Sequence, residues 1–371
     1  MYIDDTEIDS IAERCRDEPT TDDTSFMILL GEESATNIEN MISELKYDGI
    51  SFFGGVFPGL VHGSGKDGGG AIIIPLPTIG RPSLIREINR PERDLSCLRP
   101  PEIGMPEKRT ACILIDGLAS NVTDFLSSVL NRIGDAVHYI GGGAGFSDFQ
   151  QRPCIFTNEG IAENAAVVAI IDHQSTLGVR HGWERLEGPF VATKTEENRI
   201  KELNWASPFE VYSQSIYSDS DQEITHEGFF DMAKGYPFGI YSEGNEDIVR
   251  DPFAVDGDDL VCVGEIPENA ILHLLKGSDS SLIEAAGRAT ADSLPPPGAA
   301  IRHILVMDCI SRVLYLEDRF VDELAVMHRT VGARGGGIVP EGALSIGEIA
   351  SYADGLPAFF NKTVVVGSLY D

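Results

Sequence analysis

The feature of this 371-residue chain that most restricts its fold is a recurring order of elements: buried strand, helix, second strand, glycine-rich corner, strand hairpin. The middle copy is the clearest. "TACILID" (110–116) reads as a buried strand. "SNVTDFLSSVLNRI" follows with Val122, Phe125, Leu126, Val129 and Ile133 at helical spacing behind the caps Ser120 and Asn121. "AVHYI" is a second strand, "GGGAGF" a corner, and "PCIFT" and "AAVVAII" two more strands around a turn with Asn158 and Gly160.

The first copy runs from "FMILL" (26–30) through a helix bearing Ile38, Met41, Ile42 and Leu45 on one face to "GISFFGGVFPG" and "AIIIPLP". The last opens with "HILVMDCI" (303–310) and passes through a helix marked by Phe320, Leu324 and Met327. The glycines of "GARGGGIV" follow, and "AFFNKTVVVGSLY" closes it as a strand pair. Between these copies, "SPFEVYSQSIY" starts a helix with Ser207 as cap and Pro208 in the first turn. With "FGIYSEG", "LVCVGEIP" and "AILHLLK" it reads as a fourth, altered unit. A further helix over about 279–293 carries Leu282, Ile283 and Ala286 on one face and ends at "SLPPPGAA".

The expected fold is therefore α+β, two related halves of repeated strand-helix-strand-hairpin units with mixed sheets. Composition breaks at residues 79–109, a proline-punctuated strap over the surface, and around 193–208. They suggest an acidic, flexible N-terminus (1–24), one domain over 25–205 and another over 206–371.

Charge narrows the class. The chain has 28 basic and 59 acidic residues, a formal net of −31, with the acids spread along its whole length. Nucleic-acid binding needs clustered Lys and Arg and is not expected. With only eight lysines against twenty arginines, the balance suits a protein kept soluble in a high-salt cytoplasm; a cationic partner is the alternative. No apolar run reaches the 18 or so residues of a membrane span. The first 25 residues carry nine acids, two arginines and no apolar core, so no signal peptide is read and a cytoplasmic address is expected. Cys15, Cys97, Cys112, Cys154, Cys262 and Cys309 form no C-x-x-C pair, so neither a disulfide framework nor a zinc site is indicated.

Counting removes the familiar motifs. A dinucleotide fingerprint on "GGGAGF" needs glycine where Phe146 or Asp148 stands, and a P-loop on "GSGKD" (63–67) needs glycine at Leu60 and Ser or Thr at Asp67. "HGSGKDGGG" is better read as a flexible loop tip. No nucleophile elbow and no paired histidine ligands occur, although Cys154 and His181 could meet in space. The acidic strings "SDSDQE" and "DGDDL" lack the glycine and distal Glu of a calcium loop. Three stretches set charged groups beside glycine or proline at strand ends, where ligands are commonly held: "VRHGWERL" (179–186), "IVRDPFAVD" (248–256) and "LSIGEIASY" (344–352).

These stretches, in this order and with the glycine run, resemble the FIST family, the sensory domains named for F-box and intracellular signal transduction proteins. "GGGAGF" is similar to the family's Gly-Gly-Ser-Ala-Gly-Asp element with Phe146 for the Asp. "RHGWE" is similar to its Gly-His-Gly-Trp element with Arg180 for the first Gly. "CIFTNEGIAENAAVVAII", "PFEVY", "VRDPFAVD", "GEIP", "SIGEIA" and "FFNKTVVV" extend the likeness over about residues 25–370. The resemblance implies a ligand-sensing module in two halves for a small molecule such as an amino acid, with a signalling kinase or receptor as partner. No output domain is recognised, so a free-standing sensor is expected.

The expected ligand site comprises Gly142, Gly143, Gly145, His181, Trp183, Arg250, Asp251, Gly347, Glu348 and Asn361. The N–H groups of Gly142, Gly143 and Gly145 would receive a carboxylate, Glu348 or Asp251 an ammonium group, and Asn361 would fix the loop. No cofactor, metal or catalytic residue is expected. The alternative is a hydrolase or transferase using Cys154 or Asp251 with a histidine.

Overall fold

The computed structural model describes residues 1–4, 10–100, 108–334, 337–352 and 355–371. Three units share one topology. In the first, Thr24–Gly31 leads through the helix Ile38–Tyr47 to the parallel strand Phe52–Phe57, and Ala71–Pro77 returns antiparallel on the other side. In the second, the same places are taken by Arg109–Asp116, Val122–Ile133, Val137–Ala144 and Ala166–Ile171. In the third they are Ile301–Cys309, the helices Ile310–Leu316 and Phe320–Gly332, Pro340–Ser345 and Val364–Tyr370. The expected α+β class, with mixed sheets and repeated units, is what the chain adopts.

Each unit gives its hairpin to another unit's sheet. Gly59–His62 and Gly65–Asp67, read above as a loop tip, are a hairpin that extends the third sheet beyond Pro340–Ser345. Ile155–Thr157 and Gly160–Ala162 extend the first sheet beyond Phe52–Phe57. Glu348–Tyr352 and Leu356–Phe360 extend the second beyond Val137–Ala144. Short strands close the opposite edges: Tyr2–Ile3, Ser83–Ile85 and Gln174–Arg180. The three six-stranded sheets are thus interlocked in a cycle. One apolar core draws on all of them, from Met27 and Phe53 through Leu114 and Ile140 to Met307 and Val365.

The glycine run is not a corner. Gly141, Gly142 and Gly143 lie inside the strand Val137–Ala144 and are buried. A Cβ on Gly141 would stand 1.7 Å from Ile113 O; on Gly54 it would stand 1.9 Å from Ile28 O, and on Gly342 1.7 Å from Val306 O. Each of these glycines is the register partner of the residue it would strike. The repeat therefore needs one glycine at the same point of its second strand, where two backbones approach too closely for any side chain. In the third unit that glycine is Gly342. "GARGGGIV" belongs to the helix end and the connector, and its residues 335 and 336 lie outside the described residues.

The segment read as a fourth unit builds a different object. Between Gln174–Arg180 and Ile301–Cys309 the chain forms a seven-stranded sheet: Glu184–Val191, Ile271–Lys276, Phe238–Ile240, Ile248–Asp256, Asp259–Val263, Arg199–Glu202 and Lys194–Glu196. Every pairing in it is antiparallel, so the parallel strand-helix-strand core of a repeat is missing. It has its own core, with Tyr212, Ile216, Phe229, Phe238 and Leu272. Its helix Pro208–Ser220 starts as expected, Ser207 Oγ accepting from Glu210 N–H. The helix Asp279–Ser293 also lies where the spacing put it.

Three smaller readings change. The strap over 79–109 carries the edge strand Ser83–Ile85 and buries Ile85, Ile88 and Leu98, with residues 101–107 outside the described set. Leu356–Phe360 and Val364–Tyr370 are not partners of each other but lie in different sheets. In the segment 1–24, Tyr2–Ile3 pairs with Ala71–Ile72 and the helix Ile11–Asp17 buries Ile11, Ala12 and Cys15; residues 5–9 lie outside the described set.

Candidate functional site

In sheets with parallel strands, ligands collect beyond the carboxyl ends, and there the second unit opens a cleft of about 610 Å³. One wall is Gly117–Thr123, leading into the helix Val122–Ile133. Asp251, Phe253 and Cys262–Glu265 of the inserted sheet face it, Ser311 and Leu314 come from the third unit's first helix, and Ile346 and Phe359 from the third unit's hairpin. The second unit, the third unit and the inserted sheet meet at this cleft.

Its floor is an anionic group held by a cation. Asp251 is 2% exposed. Its Oδ2 accepts from Lys362 Nζ at 3.1 Å and Ser311 Oγ at 3.1 Å, while Oδ1 has no hydrogen-bond partner among the described residues. Burial pushes the Asp251 carboxyl up, opposed by the Lys362 ammonium and the Ser311 hydroxyl. Lys362 is fully buried, sits at φ 53° and lies 5.1 Å from the Trp183 ring centroid. A buried lysine in the left-handed region is strained backbone. Beside it, Asn361 is 1% exposed and neither amide atom has a partner. Arg250 has no carboxylate partner among the described residues: it donates to the carbonyls of Glu265, Val249 and Phe359, and burial lowers it to about 10.

Behind this floor lies a second polar cluster. Arg312, fully buried, donates from Nε and Nη2 to Glu323 at 2.8 and 2.7 Å and from Nη1 to His181 O and Lys362 O. Asp308 Oδ1 lies 3.4 Å from Arg312 Nε. Glu348 accepts from Ser345 Oγ at 2.8 Å and Thr363 N–H at 3.3 Å; burial raises its carboxyl to about 8, those donors opposing. Trp183 N–H donates to His181 Nδ1, and Trp183 Nε1 to Lys362 O. One hydrogen-bonded network therefore runs from His181 and Trp183 through Arg312 and Lys362 to Asp251.

The structure brings the residues singled out in sequence into this region. Glu348 is the register partner of Gly142, and Gly347 O accepts the Gly143 N–H at 2.7 Å. That bond, with Gly145 N–H donating to Val56 O at 2.8 Å, corrects the expected carboxylate cradle: both groups are used between strands. Of the expected ligand contacts, only Asp251 lines the cleft itself. Arg250 and Asn361 sit just behind Gly264, where a Cβ would stand 3.1 Å from Arg250 Nε and 3.2 Å from Asn361 Oδ1. Phe146 and Arg180 have structural partners: Arg152 stacks over the Phe146 ring, and Arg180 pairs with Asp292 and Glu246.

Sequence reasoning missed Lys362, Ser311 and Arg312. A left-handed turn between two strands at Asn361–Lys362 was the available signal for the first; the others carry none by spacing. Cys154 packs in the shared apolar core with its thiol raised well up by burial, whereas His181 Nδ1 accepts from Trp183 N–H and its Nε2 lies 3.4 Å from Glu246 Oε2. No histidine is among the hydrogen-bond or ion-pair partners found for Asp251 among the described residues. Among those residues no group of three or more His, Cys, Asp or Glu is placed to hold a metal, and no helix is long and apolar enough to cross a membrane.

Residues 66–206 match the FIST N domain and residues 208–351 the FIST C domain. No curated protein matches the chain. FIST domains are generally sensory, signal-transduction domains. The two matches follow one another directly and take in well over half of the sequence, so the chain belongs to the FIST family.

Proposed function

We propose that this protein is a cytoplasmic sensor that binds a small polar metabolite of the amino-acid kind in the cleft over Asp251, and reports its occupancy to a signalling kinase or receptor. The unpartnered Oδ1 of Asp251 carries the reading: a buried carboxylate oxygen with no donor is completed by a ligand ammonium group. Lys362 and Ser311 hold the other oxygen and so fix the carboxylate's direction. The ligand's anionic group goes to the start of the helix Val122–Ile133. His181, Trp183, Arg250, Glu348 and Asn361 support the floor from behind, with Gly142 and Gly347 setting the strand approach beneath.

The cleft walls belong to the second unit, the third unit and the inserted sheet. A ligand that touches all three favours the arrangement in which they close, which is how occupancy becomes a shape another protein reads.

A thermal-shift screen of amino acids and other metabolites in molar salt tests the reading, since occupancy raises the melting temperature by mass action. At least one amino acid should raise it, and Asp251→Asn should remove the shift while the ligand-free protein still melts cooperatively. No shift with any compound, or an undiminished shift in Asp251→Asn, overturns it.

A further inference from the structure

The cleft has a polar floor and an apolar rim, and the combination describes its ligand more narrowly. At the floor, Asp251 Oδ1 lacks a donor. At one wall, the 12-residue helix Val122–Ile133 begins without a side-chain cap, and Asn121 Nδ2 donates to Asn89 O. Its first-turn carboxylate, Asp124, is engaged by Arg93. Val122 and Thr123 of that turn line the cleft, and the positive end of the helix dipole there is suited to a carboxylate.

At the rim, Phe149 is 47%, Phe253 42% and Leu314 36% exposed. Single exposed apolar side chains are ordinary, but three of the large ones this fold leaves uncovered stand around one concavity, with Phe230 and Phe359 beside them. Such a gathering marks a surface that is covered in use.

We propose that the cleft selects an α-amino acid with a bulky apolar side chain. Its ammonium group donates to Asp251 Oδ1, its carboxylate accepts from the first turn at Val122–Thr123, and its side chain covers Phe149, Phe253 and Leu314. This rests on the reading of the cleft as the ligand site. A short or acidic side chain leaves the rim wet, an amine without carboxylate leaves the helix start empty, and an acid without amine leaves Asp251 unpartnered. A phosphorylated ligand brings more negative charge towards the same carboxylate.

Calorimetric titration of the full chain in molar salt tests this with leucine, phenylalanine, glycine, glutamate, 2-phenylethylamine and 3-phenylpropanoate. Leucine or phenylalanine should bind at least tenfold more tightly than glycine, glutamate or either half-ligand. Phe253→Ala should cut that preference several-fold and Phe253→Leu largely keep it; Phe253 is exposed enough for both variants to fold. Glycine or glutamate binding as tightly as leucine, or Phe253→Ala leaving the preference unchanged, overturns the apolar selection while the cleft reading stands. Absence of binding by all six overturns both.

Discussion

Two copies of one strand end show how a repeated fold acquires a single site. Three residues beyond the register partner of the shared glycine, the second unit has Asp116 and the third has Cys309. After Asp116, which accepts from Leu118 N–H, Asn164 N–H and Gln151 Nε2, the chain runs along the cleft before an uncapped helix begins. After Cys309 a helix starts at once, and Arg312 fills the space, bonded to Glu323 and to the carbonyls of His181, Leu282 and Lys362. The topology is the same at both ends. A guanidinium plugs one, and the other opens on the cleft.

The largest expected effect comes from removing the plug. Arg312→Ala leaves Asp308 and Glu323 buried without their cation, which costs about 3–5 kcal/mol. Denaturant unfolding in molar salt measures it. Arg302→Ala, which breaks only the exposed pair with Asp371, should cost less than about 1 kcal/mol. Similar losses in the two variants would mean that the third strand end is not held by Arg312.

Next comes the feature the two ends share. Gly141→Ala drives a Cβ into Ile113 O and forces backbone to move, a loss of about 1–3 kcal/mol or failure to fold. Gly142→Ala meets nothing nearer than Ser345 Cβ at 3.1 Å, with Gly347 O and Met307 Sδ at 3.3 Å, and should be milder. Equal melting temperatures for the two would remove the structural reason given for the recurring glycine.

A smaller effect separates the ends by pH. The Glu348 carboxyl is raised to about 8 by burial, so the folded state favours its protonated form. The stability this contributes is complete below the unfolded value of 4.5 and is lost as pH rises through 8. Melting temperatures at pH 5, 7 and 9 should fall with pH, and Glu348→Gln should flatten the fall. An unchanged slope in Glu348→Gln would place the titration elsewhere.

The repeat was legible because its signals are local. Val122, Phe125, Leu126, Val129 and Ile133 define a helix face by spacing alone, and they are buried. The hairpin exchange was not legible, since which sheet Glu348–Tyr352 joins depends on a pairing more than 200 residues away in sequence. The run Gly141–Gly143 misled for a related reason: glycine has little intrinsic strand preference, and only the approach of Ile113 and Ile346 makes a strand of it. The inserted sheet has the local order of a repeat, but Glu184–Val191 skips to Ile271–Lys276, which no local pattern announces. In the candidate site, Asp251 and Glu348 stood out as charges beside proline or glycine at strand ends. Lys362, Ser311 and Arg312 did not, because their roles arise only when three separated segments meet.

Amide hydrogen exchange with and without a saturating amino acid ligand tests the central claim most directly, since it reads the two ends and the glycine strand at once. Slowed exchange is expected at residues 118–124 and 251–265, with no change at Gly143 and Gly145, whose N–H groups are already bonded to Gly347 O and Val56 O. Protection confined to 142–145, with none at 118–124, would contradict the account.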